Sequence, residues 1–313
     1  MVNLNIKLPA DFLNEEIRCG HMVTSQMKEI WAVELDLLTE FQRVCEKYNI
    51  HYFASGGTLL GAVRHKGFIP WDDDLDVEMF REDYVKLCEV GPKEFKKPYV
   101  FQNEYTESGS LRGFSKLRNS QTTAIYPVEK QSCYDGYDKG IFIDIFPLDN
   151  ILDNPKAQAK KKKIADRWCR AYLSSIDIYY HRQQNIESIF GKAKEILRPI
   201  LYLPCKWSKT WLHKKYEEAC TWGNEKPSNK VAIYCIYNQR TIHHRLDYEE
   251  STMMDFEFMK IPVPREYDHW LTNAFGNWHE FVKGGALHGD GVMIFDTQKA
   301  YYQQHKKECH NAV

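Results

Sequence analysis

The chain has 313 residues, 43% of them hydrophobic and 27% charged, and a formal net charge of -1. That apolar content is ample for a core, and the near-zero balance gives no global basic field, which argues against nucleic acid as a partner. Nine cysteines stand singly with no Cys-x-x-Cys pair, so zinc-ribbon and thioredoxin chemistry lose their main support and a reducing compartment with buried thiols fits better. The chain opens without a basic start and apolar run, and nothing approaches the roughly 18 apolar residues of a membrane span. The expected location is cytoplasmic.

Along the chain, Ile30, Val33, Leu37, Phe41, Val44 and Tyr48 recur at helical spacing and predict a scaffold helix within 14–49 that Gly20 interrupts. Ile50 to Ala54 reads as a buried strand. It breaks at Ser55-Gly56-Gly57-Thr58, continues as helix-like Leu59 to His65, and turns at Lys66-Gly67. Asp72, Asp73, Asp74 and Asp76 then place four carboxylates in five positions. Arg81 to Phe95 predicts a helix ended by Gly91-Pro92 or by Pro98. Tyr99–Tyr105 and Leu111–Ile125 read as strands paired across Glu107-Ser108-Gly109. Gly140 to Pro147 is a strongly apolar strand with Asp144 in its middle, where a carboxylate is either paired or functional.

After Asn150 the character changes. Asp153-Asn154-Pro155 opens a helix whose basic run, Lys160 to Lys163, reads as a solvated face. Residues 192–212 mix lysine, tryptophan and bulky apolar side chains around Pro199 and Pro204. That composition suits an apolar connection between helices, and also peripheral contact with the inner face of a membrane. Val231 to Tyr237 reads as a short strand and Gly284 to Gly291 as a loop. The chain thus divides into a core over 1–150 and a mostly helical region over 151–313 that completes the site and binds acceptor.

Adjacent carboxylates repel and resist ionisation unless a cation sits among them. An acidic surface turn is a poor fit between Trp71 and an apolar strand. A calcium loop would need Gly and Glu where Val77 and Asp83 stand. The third reading is a phosphoryl-transfer site. Alternation along a strand puts Asp74 and Asp76 on one side to hold Mg²⁺ or Mn²⁺, with Asp72 as an alternative ligand and Asp144 as the third carboxylate. The turn at Gly56, Gly57 and Thr58 leads into a helix, so its N–H groups can meet phosphate oxygens.

Gly57-Thr58-Leu59-Leu60-Gly61-Ala62-Val63-Arg64-His65 and Gly67-Phe68-Ile69-Pro70-Trp71-Asp72-Asp73-Asp74-Leu75-Asp76-Val77 closely resemble the signature of the LicD family. Lys116-Leu117-Arg118, Gly140 to Asp149, and Phe275-Gly276-Asn277-Trp278 followed by His288 resemble it too. The match is dense from about residue 28 to 150 and sparse beyond. The resemblance implies an α/β (α+β) nucleotidyltransferase-like mixed sheet flanked by helices. It also implies a metal-dependent phosphotransferase that moves phosphocholine or a related group from a CDP-linked donor to a glycan or lipid-linked saccharide. Asp74, Asp76 and Asp144 would be catalytic, and Arg64, Lys116, Arg118 and His288 would face the donor. Arg64 pairing with the acidic cluster is the competing role, and His65 reads as a structural hydrogen-bonder. A nucleotidyltransferase acting on a small molecule would use the same carboxylates, and a metal-stabilised glycan-binding module is the non-enzymatic alternative. One departure concerns the phosphate turn. Gly56-Gly57-Thr58 replaces the usual Gly-Ser, so any hydroxyl contact would come from Thr58 or Ser55.

Overall fold

Cys19 and Gly20 both take left-handed backbone, φ 50° and 72°, and reverse the chain between two short antiparallel strands. These are β1 (Glu16–Arg18) and β2 (His21–Val23). The computed structural model describes residues 1–108, 113–125, 137–179, 208–235, 241–282 and 293–301. The scaffold helix α1 (Ser25–Tyr48) starts only after this hairpin, where the Thr24 hydroxyl accepts the Met27 N–H. It stops where Asn49 turns left-handed.

The next strand is shorter than its apolar run, β3 (Phe53–Ala54), and α2 (Gly56–His65) begins directly at the two glycines. The acidic motif then leads into β4 (Asp76–Phe80) and α3 (Arg81–Glu94). Helix α3 continues through Gly91-Pro92 and ends at Glu94. Strand β5 (Tyr99–Gln102) pairs with β6 (Ser115–Asn119). The predicted long second strand is broken at Ser120–Thr122, and its end, β7 (Thr123–Ile125), pairs elsewhere, with β13 (Ile294–Asp296).

Everything converges on β8 (Ile141–Asn150), the ten-residue apolar strand. Strand β4 runs parallel to it, and β6 lies antiparallel along its first half. Its last residues pair with β9 (Lys230–Ile233), which carries β10 (His243–His244). Among the described residues the result is a seven-stranded mixed sheet flanked by helices. Residues from both halves of the chain build this one sheet, and the main core joins Leu35, Val77 and Ile143 to Val231, Ile261 and Leu271.

Among the described residues, the second half supplies helices α4 (Pro155–Tyr179), α5 (208–221) and α6 (Tyr267–Phe275), and also the hairpin β11 (Ser251–Phe256) and β12 (Met259–Pro264). Helix α4 starts as its sequence predicts, with Asn154 Oδ1 accepting from Lys156 and Ala157 and with Pro155 at the first position. Its basic run is not wholly solvated. Lys161 is fully buried and donates to the Asn150 carbonyl, while Lys160, Lys162 and Lys163 face solvent. Among the described residues no helix is long and apolar enough to cross a membrane. Most of 192–212, the end of the predicted strand at Val231–Tyr237, and the loop containing His288 lie outside the described residues.

Candidate active site

Sheet register gathers the site. Asp76 of β4 lies opposite Asp144 of β8, and Asp144 lies opposite Lys116 of β6. These three residues form one row across three neighbouring strands, and side chains directly opposite share a face. The Lys116 Nζ is 2.7 Å from Asp144 Oδ1 and stands over the Phe142 ring, 3.2 Å from its centroid.

Burial alternates through the acidic motif. Asp72, Asp74 and Asp76 are partly open, whereas Asp73, Leu75 and Val77 are buried. That is the strand-like alternation expected of Asp74 and Asp76.

The row continues into α2. The Asp76 N–H donates to Thr58 Oγ1 at 2.8 Å, and the Asp76 carbonyl accepts the Ser55 N–H at 3.0 Å. The carboxylates therefore stand against the glycine turn. A Cβ on Gly57 would lie 2.5 Å from Asp72 Oδ2, and one on Gly56 would lie 3.4 Å from Asp76 Oδ2. Gly56 also has φ +52°, a region side chains rarely adopt. Positive helix-end charge and negative side chains thus meet at one spot.

Burial pushes the Asp76 carboxyl well above the usual carboxylate range, with Asp74, Asp144 and Asp72 adding to the rise and Lys116 opposing it. Asp76 is costly to ionise without a cation, and Asp72, Asp74, Asp76 and Asp144 are a hard-oxygen donor set of the kind Mg²⁺ or Mn²⁺ takes. Among the described residues no three such side chains already surround a single ion-sized point. The donor chemistry is what fits a divalent ion.

The other predicted cations are differently placed. Arg118 is buried, donates to Gln102 Oε1 and the Gly140 carbonyl at 2.6 Å each, and covers the Phe142 ring. Arg64 occupies the last turn of α2, about 12 Å along the axis from the glycine turn. Its guanidinium donates to the Trp278 carbonyl at 3.2 Å and sits over Phe281. Neither donor-facing Arg64 nor its pairing with the acidic cluster is what the geometry displays. Among the described residues His65 has no hydrogen-bond partner on either ring nitrogen, so it is not the expected hydrogen-bonder. Its ring packs edge-on near Phe281, and burial lowers its pKa to about 4.

Two carboxylates escaped the sequence reading. Glu34 of α1 is buried on the Asp73 side of the motif. Burial, then Asp73, Asp74, Asp72 and Asp76, hold its carboxyl well above the usual range. The available signal was a glutamate inside the apolar stripe of α1. Glu78 is fully buried two residues beyond Asp76, accepting from Ser55 Oγ, Tyr248 Oη and Trp270 Nε1. Burial raises it to about 7 against the lowering effect of those donors. Strand alternation from Asp76 would have flagged it.

A family model described as LicD/FKTN/FKRP, nucleotidyltransferase domain, matches residues 49–148. Lipopolysaccharide cholinephosphotransferase LicD of Haemophilus influenzae is 36% identical over 284 residues, covering 80% of this chain and 97% of that protein. Ribitol 5-phosphate transferase FKRP of Homo sapiens is 48% identical over 46 residues, 15% of this chain and 9% of its own length. An uncharacterized protein of Rickettsia typhi is 44% identical over 90 residues, 27% of this chain and 29% of its own.

Proposed function

We propose that this chain, which belongs to the LicD family and is a transferase of phosphate-containing groups, moves phosphocholine or a related phospho-group from a CDP-linked donor to a sugar of a cell-surface glycan. The observation that carries this reading is the row Lys116, Asp144, Asp76 abutting the glycine turn of α2. Anion-binding N–H groups and cation-binding carboxylates face each other there, which is the demand a pyrophosphate donor makes. The relative named for lipopolysaccharide cholinephosphate transfer supports a glycan acceptor, and the one named for ribitol 5-phosphate transfer supports movement of a related phospho-group.

Asp74 and Asp76 would hold the divalent ion, with Asp72 or Asp144 completing the set. When bound, that ion would neutralise charge on the donor pyrophosphate and ease departure of the cytidine phosphate. The first N–H groups of α2 orient the donor phosphate oxygens. Lys116 pairs with Asp144 at the edge of the site, where the Asp144 carboxylate accepts the proton of the sugar hydroxyl as it attacks phosphorus. The products are then a sugar phosphodiester and CMP.

The reading is tested by incubating the purified protein with CDP-linked donors, with and without magnesium. Free CMP formed only with metal supports phosphotransfer. Pyrophosphate released from a nucleoside triphosphate would instead identify nucleotidyl transfer.

A further inference from the structure

Ser55 is the residue before α2, with extended backbone at φ -122° and ψ 162°. A serine there ordinarily turns its hydroxyl onto the second or third N–H of the helix. Ser55 makes no such cap. Its Oγ donates instead to Glu78 Oε2 at 2.9 Å, in a site where Glu78 is fully buried. The other carboxylate oxygen is fixed by Tyr248 Oη at 2.9 Å and Trp270 Nε1 at 3.1 Å, and Trp270 Nε1 also reaches Tyr248 Oη at 2.7 Å. Glu78 is therefore clamped from the C-terminal half of the chain while it holds the residue that opens the phosphate turn.

We propose that Glu78 is a positioning residue that keeps the N terminus of α2 uncapped, by drawing the Ser55 hydroxyl away from N–H groups that the donor phosphate needs. The first N–H groups of a helix have no intrahelical partner. A serine oxygen and a phosphate oxygen compete for the same ones. With Glu78 in place, Ser55 satisfies a buried carboxylate and the donor meets no internal rival. This role rests on the phosphotransfer reading.

The test is calorimetric binding of inorganic pyrophosphate with magnesium to the full chain, alongside amide exchange at Gly57 and Thr58. In Glu78→Leu the Ser55 hydroxyl loses its partner and is released to cap the helix, whereas a glutamine there would still hydrogen-bond it. Pyrophosphate affinity should fall about five- to tenfold, the scale of one cap, and exchange at those amides should slow. Ser55→Ala removes the competitor and should bind within about twofold of wild type, and the double variant should recover to the Ser55→Ala level, since removing both partners of a buried hydrogen bond is far milder than removing one. Undiminished binding by Glu78→Leu overturns the role, as does a double variant no better than Glu78→Leu, which would make Glu78 a packing residue only. If Glu78→Leu is too unstable to titrate, Ser55→Asn caps the helix with Glu78 intact: weaker pyrophosphate binding supports the role and unchanged binding overturns it. Wild-type protein that does not bind magnesium pyrophosphate would remove the phosphotransfer reading itself, and this role with it.

Discussion

The two ends of α2 are made from similar material and do opposite work. At its start, Gly56 and Gly57 leave room for the carboxylates of Asp76 and Asp72 in a partly open site. Just past its end, Gly67 leaves room for another carboxylate, Glu257, which is buried and fully engaged. Glu257 takes both terminal nitrogens of Arg18 at 2.5 and 2.8 Å and accepts the Phe68 N–H at 3.1 Å. The Glu257 N–H in turn donates to the Lys66 carbonyl. One carboxylate with a cation and an N–H anchors the loop that delivers the acidic motif. Four carboxylates gathered against the glycine turn form a site. The contrast teaches that local pattern identifies a glycine–carboxylate contact, whereas the partner of the carboxylate decides whether it is structural or chemical.

The largest expected effect is at the open end. Asp76→Ala should lower metal-dependent CMP release by on the order of a thousandfold. Its magnesium-free melting temperature should stay level or rise, because a carboxylate that resists ionisation has been removed. A variant that kept normal turnover would sink the site.

Paired glycine substitutions sharpen the comparison directly. Gly57→Ala should cost about tenfold or more in turnover with little change in melting temperature, since its new methyl displaces Asp72. Gly67→Ala should do the reverse, destabilising by about 2–3 kcal/mol as its methyl collides with Glu257. Thermal melts and initial rates on both proteins separate the two outcomes.

Arg64→Lys tests the far end. Loss of the guanidinium contacts to the Trp278 carbonyl and the Phe281 ring should lower stability by about 1 kcal/mol. The KM for the donor should be nearly unchanged, and a tenfold rise in it would return Arg64 to the phosphate site.

The smallest effect concerns pH. Glu78 has its pKa raised from 4.5 to about 7 by burial, so the folded state binds its proton more tightly than the unfolded chain. Its stabilising contribution is complete below about pH 4.5 and is lost as pH rises through about 7. The stability of wild type relative to Glu78→Gln should therefore decline across that window, as read from melts at matched pH without magnesium. A difference that stays flat would show that Glu78 does not titrate there.

By itself the sequence determined the strands and helices around the motif, the alternation along the acidic motif, the aspartate inside the apolar strand at 144, and the family. These are readable because apolar alternation, glycine spacing and a dense signature are local properties of the chain. Tertiary structure decided which cations reach the carboxylates. Lys116 meets Asp144 because β6 and β8 pair in that register, while Arg118 turns to Gln102 and Gly140 from two positions along the same strand. It also decided that Arg64 ties down the 278–281 segment, and that Glu34 and Glu78 lie buried beside the site. Charge partners come from pairing between distant segments, and no spacing along the chain encodes that register.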